Sequence, residues 1–325
     1  MRIKQAYISE VLEDFWGKTV RKRYGFLPYS DPMSPAIFYG MYPPKRHRSG
    51  SFRLDLYKLE NHKSLAIVVW LGSDAMAACA PRSRHQYKKM RKMTNVVHVA
   101  VSKSTHEDLS SLGIPCKFVP LCSTNTKLFY PTTLGKKVYV YTSFTVPQVY
   151  GWDKVQEVRK QLPDVEFIIG TAAQPGPKDK IKADSSFVCV ARGELINLYS
   201  QCFVGLRLTP HDGLSNTVVE LGLMGRRCIW DGWAPNAIPW TSVDDAVEAI
   251  RQEQLRISED HPEVSEEMLN FIKVGKEWMH PGFWGLTVHR KVGRSVIVPR
   301  GKSTLSTYQQ RKKAKKLAKK LAKKR

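Results

Sequence analysis

The stretch 206-LRLTPHDGLSNTVVELGLMGRRCIWDG-232 combines the signals of a buried strand, a polar turn and an apolar helix. The apolar run that ends at Leu206 predicts a buried strand, and the segment 209–213 has turn composition, with a glycine free to adopt a positive φ. A helix is predicted to begin near Ser215, because residues 215–217 are all capping types, and to stop at Gly225. The stretch therefore predicts a strand, a tight turn and a helix in succession.

Two acidic residues in this unit, Asp212 and Glu220, are separated by seven residues. A helix N-terminus offers unpaired N–H groups and the positive end of the helix dipole, which suit a diphosphate. Glu220, one turn further in, is placed to accept hydrogen bonds from ribose hydroxyls, and Asp212 is placed to meet a sugar hydroxyl. The alternative on spacing alone is an ordinary capped helix in which Glu220 is solvated. The spacing thus suggests a nucleotide-sugar site and leaves both interpretations open.

The segments around this unit alternate between strand and helix patterns. Strands are predicted at 66–70, 96–101, 137–141, 166–169 and 187–190, with helical stretches between them. This alternation is typical of parallel α/β sheets. With 325 residues and 42% hydrophobic residues, the chain is long enough for two globular domains.

An acid, seven residues and a Glu also form the donor motif of retaining glycosyltransferases with the GT-B fold, which this chain resembles over roughly residues 35 to 255. The resemblance extends, in order, through 67-IVVWLGSDAM-76, 99-VAVSKSTHEDLSSLGIPCKFVPLCSTNTKLFYP-131, 137-KVYVYTSFTVPQVYGWDKVQEVRKQLPDVEFIIGT-171 and 187-FVCVARGELINLYSQCFVGL-206. It implies an α/β protein with GT-B architecture, in which two Rossmann-like domains face a central cleft. The implied acceptor-binding domain is 1–131 and the donor-binding domain is 132–252. Helices in 253–300, including a helical pattern over 264–279, would return to the first domain, and 301–325 is a basic, Lys-rich tail.

The resemblance also implies roles for individual residues. Catalytic candidates are Asp212, Asp74 and His211. The candidates for binding the donor are Glu220, Gly213, Leu214, Ser215, Asn216, Thr217, Arg207, Lys154 and Gly40.

The chain departs from the family's pattern at two places. The family usually has Glu where this chain has Asp212, and it often places an Arg and a Lys after the first donor-domain strand, where Thr145 and Tyr150 stand here. Arg207 and Lys154 are the nearest basic candidates for the diphosphate. The alternatives are a buried structural pairing for Arg207, since Arg is seldom buried unpaired, and a solvated helix position for Lys154.

Three other candidates have ordinary structural alternatives. Gly40 permits close approach of a phosphate or sugar, or serves only a turn. Asp74 would hold the acceptor hydroxyl, or cap a helix over 75–80. His211 would contact the transferred sugar, or bond within its own turn.

The resemblance implies a hexosyltransferase that uses a nucleotide sugar, with UDP-glucose as the expected donor, and retains the anomeric configuration. No metal and no further cofactor are implied. In this mechanism the protein positions the partners and stabilises charge. An inverting reaction would instead need a general base, for which Asp74 or His85 is the nominee.

The formal net charge of +23 is the main clue to the acceptor. Ten of the last 15 residues are Lys or Arg, and 82-RSRHQYKKMRK-92 adds a second cluster in which Tyr87 is expected to stack on a base. Such surfaces attract polyanions through counterion release, although each cluster by itself can also be a solvated face. The predicted nucleic-acid contacts are Arg82, Arg84, Lys88, Lys89, Arg91, Lys92, Lys45, Arg46 and Arg48.

The hypothesis for the acceptor is DNA that carries 5-hydroxymethylpyrimidine bases such as 5-hydroxymethylcytosine, as in the DNA modification by which bacteriophages mask their genomes. The base would be flipped toward the donor. One alternative is a lipid-linked or polysaccharide acceptor at a membrane, which the short basic amphipathic pattern of the tail would contact peripherally. The other is a non-catalytic nucleic-acid-binding protein.

The remaining expectations concern cellular context. The longest apolar runs fall far short of ~18 residues and the first residues mix charge throughout, so we expect no membrane span, no signal peptide, and a cytoplasmic, monomeric protein. The six cysteines lack CxxC spacing, so neither disulfides nor zinc are expected.

Overall fold

The computed structural model describes residues 3–13, 17–43, 54–176, 179–189, 191–275, 277–291 and 294–299. The predicted nucleic-acid contacts Lys45, Arg46 and Arg48 lie outside the described residues, as does the basic tail 301–325.

The first half of the chain forms a six-stranded sheet with the strand order β2-β1-β3-β4-β5-β6. Its strands are β1 (Gln5–Ile8), β2 (Leu27–Pro28), β3 (Ala36–Tyr39), β4 (Ala66–Trp70), β5 (Val96–Ala100) and β6 (Cys116–Phe118). The helices of this half are α1 (Lys18–Tyr24), α2 (Asp55–Glu60), α3 (Ser73–Cys79), α4 (Arg84–Tyr87) and α5 (Lys103–Ser111). Strands β3 and β4 are buried along their whole length, as expected for a parallel sheet that is covered on both faces.

The second half forms another six-stranded sheet, with the order β12-β11-β10-β7-β8-β9 and parallel pairing throughout. Its strands are β7 (Lys137–Tyr141), β8 (Phe167–Thr171), β9 (Phe187–Cys189), β10 (Cys202–Leu206), β11 (Arg227–Ile229) and β12 (Ala237–Ile238). The helices are α6 (Trp152–Gln161), α7 (Leu195–Tyr199), α8 (Asn216–Leu223), α9 (Val243–Gln254) and α10 (Pro262–Ile272). A hairpin of β13 (Leu286–Lys291) and β14 (Arg294–Pro299) follows.

One face of the second sheet carries a continuous hydrophobic core. Val138 and Val140 point to this face and pack with Val155 of α6 and Ile250 of α9. Because successive side chains of a strand alternate between faces, Tyr139 points to the opposite face, where it meets Tyr199 of α7. The sheet therefore has an apolar side and a side that contains buried hydroxyl groups.

The sequence predicted several of these elements because their signals are local. β4 and β7 have the predicted bounds, and α8 begins directly after Ser215, its N-cap, with Gly225 following its end at a φ of 84°. Asp245 completes a capping box with Ser242 at the start of α9. The predicted helix over 264–279 is in part wrong, since α10 ends at Ile272 and a short 3₁₀ turn occupies Glu277–Met279.

The described contacts divide the chain into two compact units. One contains the described residues before 69, those of 92–97 and those after 274, and the other contains 69–91 and 98–274. The predicted domain boundary between residues 131 and 132 stays a prediction. Within the part of the chain that the structure describes, no helix is both long and apolar enough to cross a membrane.

Candidate nucleotide-sugar site

The candidate site is built on the loop that joins β10 to α8. Strand β10 lies in the interior of its sheet, between β11 and β7, and runs parallel to both. Its carboxyl end is therefore at the middle of the carboxyl edge, where ligands bind in open α/β sheets. Leu208 and Leu214 are buried and anchor the loop at both ends, so the polar residues 209–213 between them form a compact turn.

Arg207 and Asp212 form an ion pair inside this loop. The Arg207 Nε donates to Asp212 Oδ2, and the two side chains are 11% and 16% exposed. Burial by itself lowers the pKa of Arg207, but the charge and hydrogen bond of Asp212 outweigh this effect and raise the pKa above its ordinary value. The guanidinium also lies 5.6 Å from the centre of the Tyr150 ring. The buried pairing expected as an alternative for Arg207 is thus present, with Asp212 as the partner.

Helix α5 holds the same loop from the other side. Ser102, its N-cap, donates a hydrogen bond of 2.9 Å to the carbonyl oxygen of Asp212, and the hydroxyl of Ser104 donates to the same oxygen. His211 Nε2 lies 2.7 Å from Asp108 Oδ2, and this hydrogen bond raises the pKa of His211. The loop that carries His211 and Asp212 is therefore fixed by residues about 105 positions earlier in the chain.

A second loop, residues 71–74, lies directly against the loop that carries Asp212, with no side chain between the two backbones at Gly72 and Gly213. Gly72 has a φ of +118°, and a Cβ at this position would lie 2.7 Å from the backbone nitrogen of Gly213. A Cβ on Gly213 would overlap the carbonyl oxygen of Leu71. Only glycine fits at both positions, because a side chain on either residue would force the two loops apart.

Asp74 gives the loop 71–74 its shape. Its carboxylate is fully buried, and Oδ1 accepts hydrogen bonds from the backbone N–H groups of Leu71, Gly72 and Ala75 at 2.9–3.0 Å. Asp74 lies in the first turn of α3, whose N-cap is Gly72, so its carboxylate holds the helix start and the loop together but is not the cap of a helix over 75–80. Its predicted contact with an acceptor hydroxyl stays a prediction.

The first turn of α8 is anchored through Asn216. Its side-chain amide exchanges hydrogen bonds with Ser123, at 3.2–3.3 Å, and its Oδ1 also accepts from Thr124 at 3.1 Å. Ser215 precedes it in extended conformation as the N-cap. Asn216 thus uses its side chain to fix the helix start, which leaves the backbone of 213–217 as the part suited to a phosphate.

Glu220 lies one turn further along α8 and is only 2% exposed. The hydroxyl of Tyr199 donates to Glu220 Oε2 at 3.0 Å. Glu220 is therefore not the solvated side chain of an ordinary capped helix, because a buried carboxylate is retained only where hydrogen bonds compensate its lost hydration.

Two donor-site candidates, Lys154 and Gly40, make contacts that do not involve the site loop. Lys154 Nζ lies 4.5 Å from the centre of the Trp240 ring, a cation–π contact on α6. Gly40 belongs to the unit that contains β3, has a φ of +75°, and would clash with Leu12 if it carried a Cβ. The positive φ and the contact with Leu12 account for a glycine at this position, and the roles of Lys154 and Gly40 in donor binding stay predictions.

The basic cluster 82–92 combines three buried side chains with six exposed Lys and Arg side chains. Ser83, Tyr87 and Met90 are buried. The proposed stacking of Tyr87 on a base is wrong, because its ring is fully buried and packs edge-on against Trp70 at 5.9 Å. The predicted contacts in this segment are all exposed: Arg82, Arg84, Lys88, Lys89, Arg91 and Lys92.

Sequence reasoning missed Tyr199, Ser102, Ser104 and Asp108 as parts of the site. Ser102 is the N-cap of α5, but no local signal connects it with Asp212. An open cavity of ≈ 770 Å³ lies elsewhere, lined by residues of β12 and α9, and contains none of the site residues named above.

Comparison with known proteins supports the fold. No protein-family model matches the chain, and no curated protein sequence matches it. Among solved structures, a complex of S. aureus TarM with fondaparinux, α-GlcNAc-glycerol and UDP aligns with a TM-score of 0.51 and 12% identity, over 77% of this chain. A glycosyltransferase from Rickettsia africae aligns with a TM-score of 0.50 and 12% identity, over 80% of this chain and 76% of its own.

The chain has the GT-B fold. Its two parallel six-stranded sheets, with helices between the strands, match the α/β architecture that the resemblance implied. A further TarM structure aligns with a TM-score of 0.50 and 12% identity, over 76% of this chain and 53% of that protein. The chain thus spans about half the length of TarM, and at this identity the alignment concerns the fold alone.

Proposed function

We propose that this protein is a glycosyltransferase that moves a sugar from a nucleoside diphosphate to a hydroxyl group, with UDP-glucose as the first donor to test. The observation that carries the proposal is the unit of β10, its loop and α8 at the carboxyl edge of the second sheet. There a buried Glu220 and the Arg207–Asp212 ion pair stand beside a helix N-terminus. The fold, shared with glycosyltransferases of which one was solved with UDP, supports it.

Each part of the unit has a role in this proposal. The backbone N–H groups of Gly213 to Thr217 donate to the diphosphate, which the positive end of the α8 dipole also attracts. Arg207 supplies positive charge beside the diphosphate. The loop after β7 supplies none, because Thr145 and Tyr150 stand where the family often has an Arg and a Lys. Glu220 accepts from the ribose hydroxyls, and Asp212 from a hydroxyl of the transferred sugar.

The proposed reaction retains the anomeric configuration. The bond between the sugar's anomeric carbon and the diphosphate oxygen breaks, and a bond from that carbon to the acceptor oxygen forms on the same face. The acceptor proton passes to the departing diphosphate oxygen. Stabilisation of the charge that develops on the diphosphate is then the protein's main contribution, and preorganised donors supply it without reorganisation.

For the acceptor we propose DNA with 5-hydroxymethylpyrimidine bases. The support is the net charge of +23 and the row of exposed Lys and Arg side chains in the segment 82–92, held outward by the buried Ser83, Tyr87 and Met90. Phosphate contacts by such side chains position a duplex without reading its sequence. The base would then be recognised by the transferase site itself.

A saccharide or polyol acceptor is the second candidate. It is favoured by one observation, which is that S. aureus TarM, a protein of the same fold, was solved with α-GlcNAc-glycerol and UDP. An acceptor of this class, lipid-linked or part of a cell-surface polymer, would need no DNA contact.

Transfer of radiolabelled glucose from UDP-glucose tests the proposal. The acceptors are duplex DNA with 5-hydroxymethylcytosine, with 5-hydroxymethyluracil or with neither, and a glycerol-based polymer in parallel. Glu220→Gln should abolish most transfer, whereas the matched control Glu157→Gln, on the exposed face of α6, should leave it unchanged. Label on hydroxymethylated DNA alone supports the DNA acceptor, and label on the polymer alone refutes it. Absence of nucleotide-sugar binding, with other sugar nucleotides included, would refute the transferase itself.

The DNA contact can be tested independently of transfer. Binding of a short duplex is measured as a function of salt for the wild type and for the double variant Lys88→Ala/Arg91→Ala. Each lost phosphate contact should reduce the slope of log K against log salt by about 0.9. An unchanged slope would mean that this cluster does not contact the DNA.

A further inference from the structure

A cluster of three buried polar side chains lies between the second sheet and α8. Glu220, Tyr199 and Tyr139 are each at most 2% exposed. The Tyr199 hydroxyl donates to Glu220 Oε2 at 3.0 Å, and its ring meets the Tyr139 ring edge-on, with centroids 4.8 Å apart and planes at 89°. Tyr199 comes from α7, which precedes β10, so the cluster joins two helices of the same sheet face.

The geometry of this cluster constrains the carboxylate of Glu220. The Tyr199 ring has little freedom to move, because it is packed between Tyr139 and Phe129, whose centroid is 6.1 Å away. Its hydroxyl therefore presents the proton from a fixed point. A hydrogen bond to an ionised acceptor in a buried setting is stronger than the same bond in water. The bond thus selects one rotamer of Glu220.

We propose that Tyr199 is a positioning residue that makes the nucleotide site selective for the ribose hydroxyls. This inference rests on the proposed function, in which Glu220 accepts from the ribose. A carboxylate has acceptor capacity for about four hydrogen bonds, and the bond from Tyr199 occupies one of these positions, at Oε2. By holding Oε2, Tyr199 fixes where the other acceptor positions point. A ribose is then bound by an oriented carboxylate rather than by one that must first be ordered.

The selectivity for ribose hydroxyls follows from the free energy needed to order the Glu220 side chain when a nucleotide binds. Without the Tyr199 hydroxyl, Glu220 would have to lose side-chain freedom when the nucleotide binds, and part of the binding free energy of the ribose hydroxyls would be spent on that ordering. Binding of a nucleotide that lacks these hydroxyls should not depend on Tyr199. This difference separates a positioning role from a purely structural one.

The test compares UDP with 2′,3′-dideoxy-UDP by calorimetric titration of the full chain. For the wild type we expect UDP to bind about 10- to 100-fold more tightly, as hydrogen bonds to a charged group predict. In Tyr199→Phe this ratio should fall at least fivefold, through weaker binding of UDP with the dideoxy nucleotide unchanged. The matched control is Tyr87→Phe, which removes a hydroxyl from another buried tyrosine of the same unit, one that packs against Trp70 and lies outside the cluster. It should keep the wild-type ratio.

A double variant gives a second readout. If Tyr199 acts through Glu220, then Tyr199→Phe should have little further effect on the ratio in a Glu220→Gln background, since residues in one network are not additive. Additive effects would contradict the proposal.

Other outcomes also separate the hypotheses. An unchanged ratio in Tyr199→Phe, or equal weakening of both nucleotides, would overturn the positioning role. Equal binding of both nucleotides by the wild type would remove the role of Glu220 in ribose recognition, and Tyr199 with it, while leaving sugar transfer open. Failure of the wild type to bind UDP, or any other nucleoside diphosphate, would instead overturn the proposed function.

Discussion

Substitution of Gly72 by alanine should destabilise the unit that contains the candidate site, for two reasons that the structure separates. The φ of +118° lies where side chains are strained, which typically costs about 1–2 kcal/mol. In addition, the new Cβ would lie 2.7 Å from Gly213 N and 2.9 Å from Gly213 Cα, both backbone atoms. Ordinary contact begins at 3.4 Å, so the two loops would have to separate by about 0.7 Å.

Neither loop can move freely. Three hydrogen bonds to the Asp74 carboxylate tie the loop 71–74 to the first turn of α3. In the other loop, the carbonyl of Asp212 accepts from Ser102 and Ser104. Overpacking of such a contact costs about 1–3 kcal/mol, so together with the φ strain we expect a loss of about 3 kcal/mol in the free energy of unfolding. For a unit of this size that corresponds to a fall in Tm of about 6–12 °C.

The assay is urea denaturation followed by circular dichroism, with two matched glycines. Gly113→Ala also places a side chain at a positive φ, here +68°, but its nearest neighbour is the Arg91 side chain at 3.7 Å, so it should show only backbone strain. Gly193→Ala, with no atom within 4 Å, should be nearly neutral. If Gly72→Ala costs no more than Gly113→Ala, the close approach of the two loops does not contribute, and the argument from their contact is refuted.

Two further predictions concern ion pairs and buried charge. In Asp108→Asn, the pKa of His211 should fall, as seen by NMR titration. The folded pKa is raised in the wild type, so the pair stabilises below about pH 6.5 and this contribution disappears as pH rises through the folded pKa. The stability difference, about 1 kcal/mol at pH 6, should therefore shrink at pH 9, and a constant difference would contradict it. Arg226→Met should cost about 3–5 kcal/mol in urea denaturation, because the fully buried Arg226 donates to the carbonyls of Thr132 and Thr133, which would be left unsatisfied. A loss below about 1 kcal/mol would show that water replaces the guanidinium.

Where the sequence succeeded, the signal was carried by residues close together in the chain. The bounds of β4 and β7 follow from short apolar runs. The strand, turn and helix around Asp212 were likewise predicted, including the stop at Gly225. These interactions are local, so neighbouring residues specify them whatever the rest of the chain does.

The fold class also followed from the order of the predicted strands and helices along the chain. A regular alternation of strands and helices indicates a parallel α/β protein, and the ordered resemblance to GT-B enzymes predicted two such sheets. The strand order, with β10 in the interior of its sheet, is a property of the folded chain, and it is this order that brings the β10–α8 loop to the middle of the carboxyl edge.

Tertiary structure alone decided which polar groups meet. The basic segment around Tyr87 predicted that this residue stacks on a base, but Tyr87 packs edge-on against Trp70 and is completely buried. His211 is paired with Asp108, 103 residues away, and Glu220 is held by Tyr199 from another helix. By itself the sequence determined the local elements and the residue types at the β10–α8 turn, because capping, turn and strand preferences act over a few residues. Which groups are buried and which face one another was determined only by folding, because the packing of helices against the sheets joins residues that no local pattern connects.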